Sequence, residues 1–162
     1  MNIEYLNERI NDYKNSIETV VDKKKLWKSE VKTLLRNTLN AIVDKYKIGW
    51  RVQELDWIGA KDAINIIFDS FPVELIEQTN ELANYQFLQG GALVFSQSYN
   101  GNVAVTILFP LNDQTSLEDS SMELGIYNPK DISEKLIVEK VDEFLKEIIK
   151  WEVPNQKNKL GY

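Results

Sequence analysis

The stretch Met1–Ile48, MNIEYLNERINDYKNSIETVVDKKKLWKSEVKTLLRNTLNAIVDKYKI, contains neither glycine nor proline. Its apolar residues Ile3, Leu6, Ile10, Tyr13, Ile17, Val20, Trp27, Val31 and Leu34 follow one another at steps of three and four, and Lys24 breaks the seam. That period marks amphipathic helix. A single straight helix of this length would extend about 70 Å at about 1.5 Å per residue, far more than a domain of this size is wide. The segment must therefore fold back as a hairpin, or project and require a partner.

Residues 2–20 read as a first helix. Asp22-Lys23-Lys24-Lys25 interrupts the seam without a true breaker. Residues 26–46 read as a second helix, with Leu26, Trp27, Val31, Leu34, Leu35, Leu39, Ile42, Val43 and Tyr46 on a face broad enough to pack on a sheet. The expectation is a long helical hairpin turning near residues 21–25, with one long bent helix as the alternative.

After Ile48-Gly49 the period changes to two. A first strand runs from Trp50 to about Trp57, and a second covers 62–70 with Ile64, Ile66 and Phe68 inward and Asn65 and Asp69 outward. Phe71-Pro72 ends it. Residues 73–89 allow a short helix, closed by Gly90-Gly91. Ala92–Ser98 and Val103–Phe109 flank Tyr99-Asn100-Gly101-Asn102, where Asn-Gly suits a type I′ hairpin turn. Residues 110–119 form an acidic loop, and Ser121–Tyr127 a fifth strand. A last helix starts near Asp131 or Ser133. Ser133 serves as N-cap, Ile132 staples onto Ile137, and Asp131 with Glu134 suits a capping box. Pro154 stops that helix, and 155–162 is a polar tail.

Strands grouped between helices and joined by short links predict an α+β fold with an antiparallel meander of about five strands. The division is a helical arm over 1–47, sheet over 48–128 and C-terminal helix over 129–153, all within a single domain spanning 1–154.

At 162 residues, with 43% hydrophobic and 27% charged residues, the chain can bury an ordinary core. No apolar run reaches membrane-spanning length, and the first residues lack the apolar region of a signal peptide. A cytoplasmic protein is expected. The chain has neither histidine nor cysteine. That excludes Ser-His-Asp and Cys-His nucleophilic catalysis, disulfides, and the common zinc sites. No catalytic motif is recognisable, and no cofactor or metal is expected.

Charge is unevenly placed. Residues 23–51 hold nine basic and two acidic residues, in a chain whose net charge is −6. Lys25, Lys28, Lys32 and Arg36 make one helical stripe, and Trp50 with Arg51 follows. Such a set suits a phosphate-bearing ligand, with Trp50 as a stacking platform. The competing reading is a solvated face, or one that meets the chain's own acids. A pI near 4.8 argues against general duplex-DNA binding. Trp27, Trp50 and Trp57 suit core positions with capped ring N–H groups. Glu54, Asp56, Asp62 and Asp69 are the carboxylates available for Mg²⁺ or acid–base work, but they also suit salt bridges. Gly90-Gly91 precedes a strand, so it is not a phosphate cradle. Ser96 and Ser98 have no visible base.

The amount of apolar helix competing for one modest sheet points to a non-enzymatic binding or assembly protein. Its N-terminal helices would mediate homo-oligomerisation, with a homodimer as the default closure, or dock a protein partner. The alternatives are nucleotide or single-stranded nucleic acid binding through 23–51, and an acidic inhibitor or immunity-type protein.

Overall fold

In the computed structural model, residues 1–58, 61–81, 90–110 and 120–154 are described, with the side chains at 56–58 and 61 outside that description. The hairpin expected near 21–25 does not form. A 3-10 turn at Glu4–Leu6 leads into α1 (Asn7–Leu26), which passes through a π-helical turn at Trp27–Val31 into α2 (Lys32–Lys45). The whole is one continuous helix of roughly 60 Å at about 1.5 Å per residue. The reason is visible in the sequence: Lys23-Lys24-Lys25 breaks the apolar seam but has good helix propensity, and it contains nothing that ends a helix.

The π turn has a packing cause. Trp27, Val31, Leu35 and Leu39 are all buried at steps of four. An ideal α-helix rotates such a row by about 40° per step. The wider π turn takes up part of that rotation and keeps the row on the sheet.

Five strands follow: β1 (Trp50–Ile58), β2 (Lys61–Phe68), β3 (Ala92–Gln97), β4 (Val103–Leu108) and β5 (Ser121–Tyr127). They form an antiparallel meander in the order β1-β2-β3-β4-β5, as the alternation predicts. Between β2 and β3 lie a 3-10 turn at Val73–Leu75 and the short α3 (Ile76–Asn80); the remainder of the expected helix, at 82–89, falls outside the described residues, as do 111–119 and the tail 155–162. β2 stops at Phe68 rather than residue 70 because the Asp69 and Ser70 N–H groups both donate to the Gly49 carbonyl, each at 3.0 Å.

α4 (Glu134–Glu152) closes the chain. Ser133 is its N-cap, accepting from the Leu136 N–H at 3.1 Å. Asp131 belongs instead to a preceding 3-10 turn, Pro129–Asp131. Ile132 and Ile137 are both buried, as a staple requires.

α2 and α4 lie on one sheet face. Between the layers sit Leu35, Leu39, Ile64, Ile66, Leu93, Phe95, Val105, Ile107, Ile137 and Phe144. Trp50, Phe68 and Phe144 stack in series at 5.5 and 5.6 Å, tying β1 and β2 to α4. The second sheet face is not simply solvated. Ala63, Asn65 and Ala92 on it are buried, and the Asn65 side-chain carbonyl accepts no hydrogen bond among the described residues. Asn65 points away from the helices, as its alternation requires, but it is 4% exposed rather than open to water.

The β3–β4 turn differs in type from the expected I′. The Gly101 N–H donates to the Ser98 carbonyl at 2.9 Å and the Ser98 N–H to the Asn102 carbonyl at 2.8 Å. Tyr99 and Asn100 are therefore the central pair, and Gly101, at φ +88°, follows them. This is the three-residue hairpin class, in which a glycine forms the bulge. The turn packs on the long helix. A Cβ at Gly101 would lie 2.6 Å from Lys23 Cβ and 3.3 Å from the Val20 carbonyl oxygen. Lys23 Nζ donates to Asn102 Oδ1 at 2.9 Å, and Lys24 Nζ sits 5.4 Å above the Tyr99 ring.

Two outcomes follow. Gly101→Ala meets both the positive φ and the close helix, so it should cost about 1–3 kcal/mol in urea unfolding, whereas Asn100→Ala should cost less. Lys140 is 7% exposed and donates to the Leu124 carbonyl at 3.2 Å and to Glu143 at 3.2–3.3 Å. Burial works to lower its pKa, but side-chain hydrogen bonding to Tyr127 and Glu143, with their charges, raises it above the ordinary 10.5. A raised lysine pKa stabilises the fold below its unfolded value, and that contribution is lost as pH rises through the folded value. The stability gap between wild type and Lys140→Met should be full near about pH 8 and shrink as pH rises past the ordinary lysine value of about 10.4.

Candidate functional site

Every residue from Met1 to Thr19 is exposed. The core begins further along the same helix, at Trp27. The apolar seam of the first segment therefore lies bare: Ile3 is 62% exposed, Leu6 39%, Ile10 47%, Tyr13 67% and Ile17 46%. The described side-chain hydrogen bonds of this arm are local. Arg9 pairs with Asp12 at 2.7 Å, the Ser16 hydroxyl donates to the Tyr13 carbonyl, and the Thr19 hydroxyl donates to the Asn15 carbonyl. The arm needs no helix nucleation of its own, because it extends a helix already anchored in the body.

The anchor is a carboxylate with two partners. Trp27 Nε1 donates to Asp62 Oδ2 at 2.9 Å, and Lys32 Nζ approaches Asp62 Oδ1 at 3.1 Å. One β2 side chain thus holds the start of the π turn and the first residue after it. This contact spans 35 residues of sequence, and no local pattern announces it. Trp27 is core, as its type suggests, but its N–H meets a carboxylate rather than a carbonyl. Trp50 Nε1 does meet a carbonyl, that of Tyr46, at 2.7 Å. Trp57 and Asp56 lie outside the described side chains.

The basic stripe divides. Lys25 and Lys28 are exposed. Lys32 is held by Asp62, Arg36 by Glu54 at 2.5 Å, and Arg51 by Asp69 at 2.6 Å. The hydrogen bond and then the charge of Glu54 raise the Arg36 pKa above its ordinary value. The three acids Glu54, Asp62 and Asp69 are thereby engaged by the chain's own cations. Trp50 is 6% exposed and stacked on Phe68, so its ring faces are not presented to solvent.

At the far end of α2 the structure has an apolar cavity of about 390 Å³ lined by Ile42, Tyr46, Ile48, Trp50, Val138, Val141, Asp142 and Leu145. A second, of about 330 Å³, shares Ile48 and Leu145 and extends to Phe68, Pro72, Ile149 and Glu152. Burial raises the Glu152 carboxyl above its usual range. Among the described residues the lining of both cavities is mainly apolar.

Compared with known protein families, curated proteins and solved structures, the chain matches none. No described helix is long and apolar enough to cross a membrane.

Removing the shared carboxylate should be felt far more than removing the exposed lysines. Asp62→Ala strips the hydrogen-bond acceptor from Trp27 and the counter-charge from Lys32, and should cost about 1.5–3 kcal/mol. Lys25→Ala and Lys28→Ala should stay within about 0.5 kcal/mol. Urea unfolding followed by tryptophan fluorescence reads both.

Proposed function

We propose that this chain is a non-enzymatic binding or assembly protein and that its N-terminal helical arm is the docking surface. The observation that carries the reading is the bare apolar seam on residues 3–17 of a helix whose own core starts only at Trp27. The body closes its core without the arm, so folding of the body gives no reason to keep five large apolar side chains in line. A contiguous apolar strip rimmed by polar residues marks an interaction surface. Burying it would return about 25 cal/mol per Å² of apolar area. A cytoplasmic setting belongs to the same reading.

The phosphate-ligand alternative has less support. Three of its cations are already held by carboxylates, and Trp50 is packed in the core. Lys25 and Lys28 remain as the exposed cations of that set. No described contact favours an inhibitor role over these readings.

Size-exclusion chromatography with light scattering tests the assembly form. At tens of micromolar, the expected mass exceeds the 18.8 kDa chain mass and persists at high salt, since apolar contacts are not screened. A monomer at both salt concentrations counts against self-assembly.

A further inference from the structure

We propose that the arm's occupant is the arm of a second copy, lying antiparallel, so that the protein is a two-fold dimer with a body at each end of a short two-helix rod. This rests on the reading of the arm as a docking surface and adds the partner and its direction.

The seam sets the register. Ile3, Leu6, Ile10, Tyr13, Ile17 and Val20 alternate steps of three and four, the spacing of the core positions of a two-stranded coiled coil. Laid antiparallel about a two-fold axis midway between Ile10 and Tyr13, the set closes on itself. Ile3 faces the partner's Val20, Leu6 faces the partner's Ile17, and Ile10 faces the partner's Tyr13. Each arm's tip then reaches the partner's hairpin turn, where Tyr99 is 91% exposed. No apolar position of the seam is left over.

Charge selects the direction. The arm from residue 1 to 22 carries five acidic and two basic residues, and Lys23, Lys24 and Lys25 follow at its root. Antiparallel pairing brings the acidic tip, with Glu4 and Glu8, toward the partner's lysine-rich root. Parallel pairing sets tip beside tip and root beside root. It also faces Arg9 with the partner's Lys14 across the flanking positions of the seam, a like-charge pair repeated by symmetry.

Space favours the same choice. Beyond Val20 the seam runs into the body, where the hairpin contacts Val20 and Lys23 and Trp27 is 1% exposed. A parallel partner would carry its own helix and body on into that region. An antiparallel partner leaves in the other direction, and the two lysine-rich roots stand about 35–40 Å apart at about 1.5 Å per residue. Such an overlap covers on the order of 1,000 Å² in total, at the lower bound of a specific interface. The dimer should therefore dissociate on dilution rather than be permanent.

The chain has no native cysteine, so introduced thiols report direction directly. Leu6→Cys and Ile17→Cys are made separately in the full chain and oxidised mildly, alone and mixed. The expected result is a disulfide-linked dimer formed efficiently only in the mixture. Efficient self-crosslinking of Leu6→Cys alone would overturn the antiparallel arrangement while leaving the arm as the assembly surface. A wild-type chain that stays monomeric on light scattering at every concentration would overturn self-pairing altogether. Ile10→Asp, placed next to the two-fold axis, should lower the mass to that of one chain. Because Ile10 lies outside the core, its urea midpoint on the body tryptophans should match that of wild type when both are measured at a dilution where the wild type is monomeric; a dimer that survives Ile10→Asp would also overturn the proposal.

Discussion

The bond between Asp62 and the long helix is the constraint on which the rest depends. Trp27 is too large to leave in water and too polar at Nε1 to bury without an acceptor. Asp62 supplies that acceptor and is in turn paired by Lys32 one helical turn on. Each group makes the burial of the others tolerable: the carboxylate has a cation, the indole N–H has an oxygen, and the ring has the core. The consequence is positional. The helix is fixed to β2 at residues 27–32, so everything N-terminal of the hairpin's footprint at Val20–Lys23 must project. The arm is thus a result of where the anchor sits.

Much of the sheet was legible in residues 50–127, because alternation and turn chemistry are local. The meander, β5 at Ser121–Tyr127 and the N-cap at Ser133 all follow from patterns a few residues long. The hairpin was legible in place but not in type. Asn100-Gly101 attracts a type I′ reading with that pair at the centre, whereas the structure centres the turn on Tyr99 and Asn100, sets Gly101 after them at positive φ and stacks Tyr99 under Lys24. That choice is tertiary: a glycine is required where the turn meets Lys23 Cβ, and a local rule cannot see the helix.

The continuous helix was the main point at which sequence reasoning chose the wrong branch. A gap in an apolar seam resembles a turn when the only question is which residues are buried. Lys24 occupies a seam position, but lysine favours helix and its ammonium sits over the Tyr99 ring. Propensity decided the backbone, and the seam break marks instead where one packing environment ends and another begins. The π turn was equally hidden, since it answers a mismatch between helix pitch and the flat row Trp27, Val31, Leu35, Leu39. Of the candidate site, the seam residues were visible and their exposure was not. The basic stripe was visible too, but its acidic partners sit on β1 and β2 and just after β2, and only the fold brings them near.

Charge placement follows from the same geometry. Lys32 and Arg36 face strand-borne acids across the helix–sheet junction, while Arg51 on β1 pairs with Asp69 just after β2, so part of the cationic segment that stands out in sequence is used in docking the helix. These pairs are partly solvated, and each contributes modestly to stability. Their larger effect is to leave the arm and its root with opposite signs. Lys25 and Lys28 are exposed at the root, while the arm's acids outnumber its bases. A rod that is acidic at one end and basic at the other, with an apolar seam between, is complementary to a copy of itself running the other way. Apolar area alone would not distinguish the two directions, so it is the charge left over after the helix has docked that gives the seam its polarity.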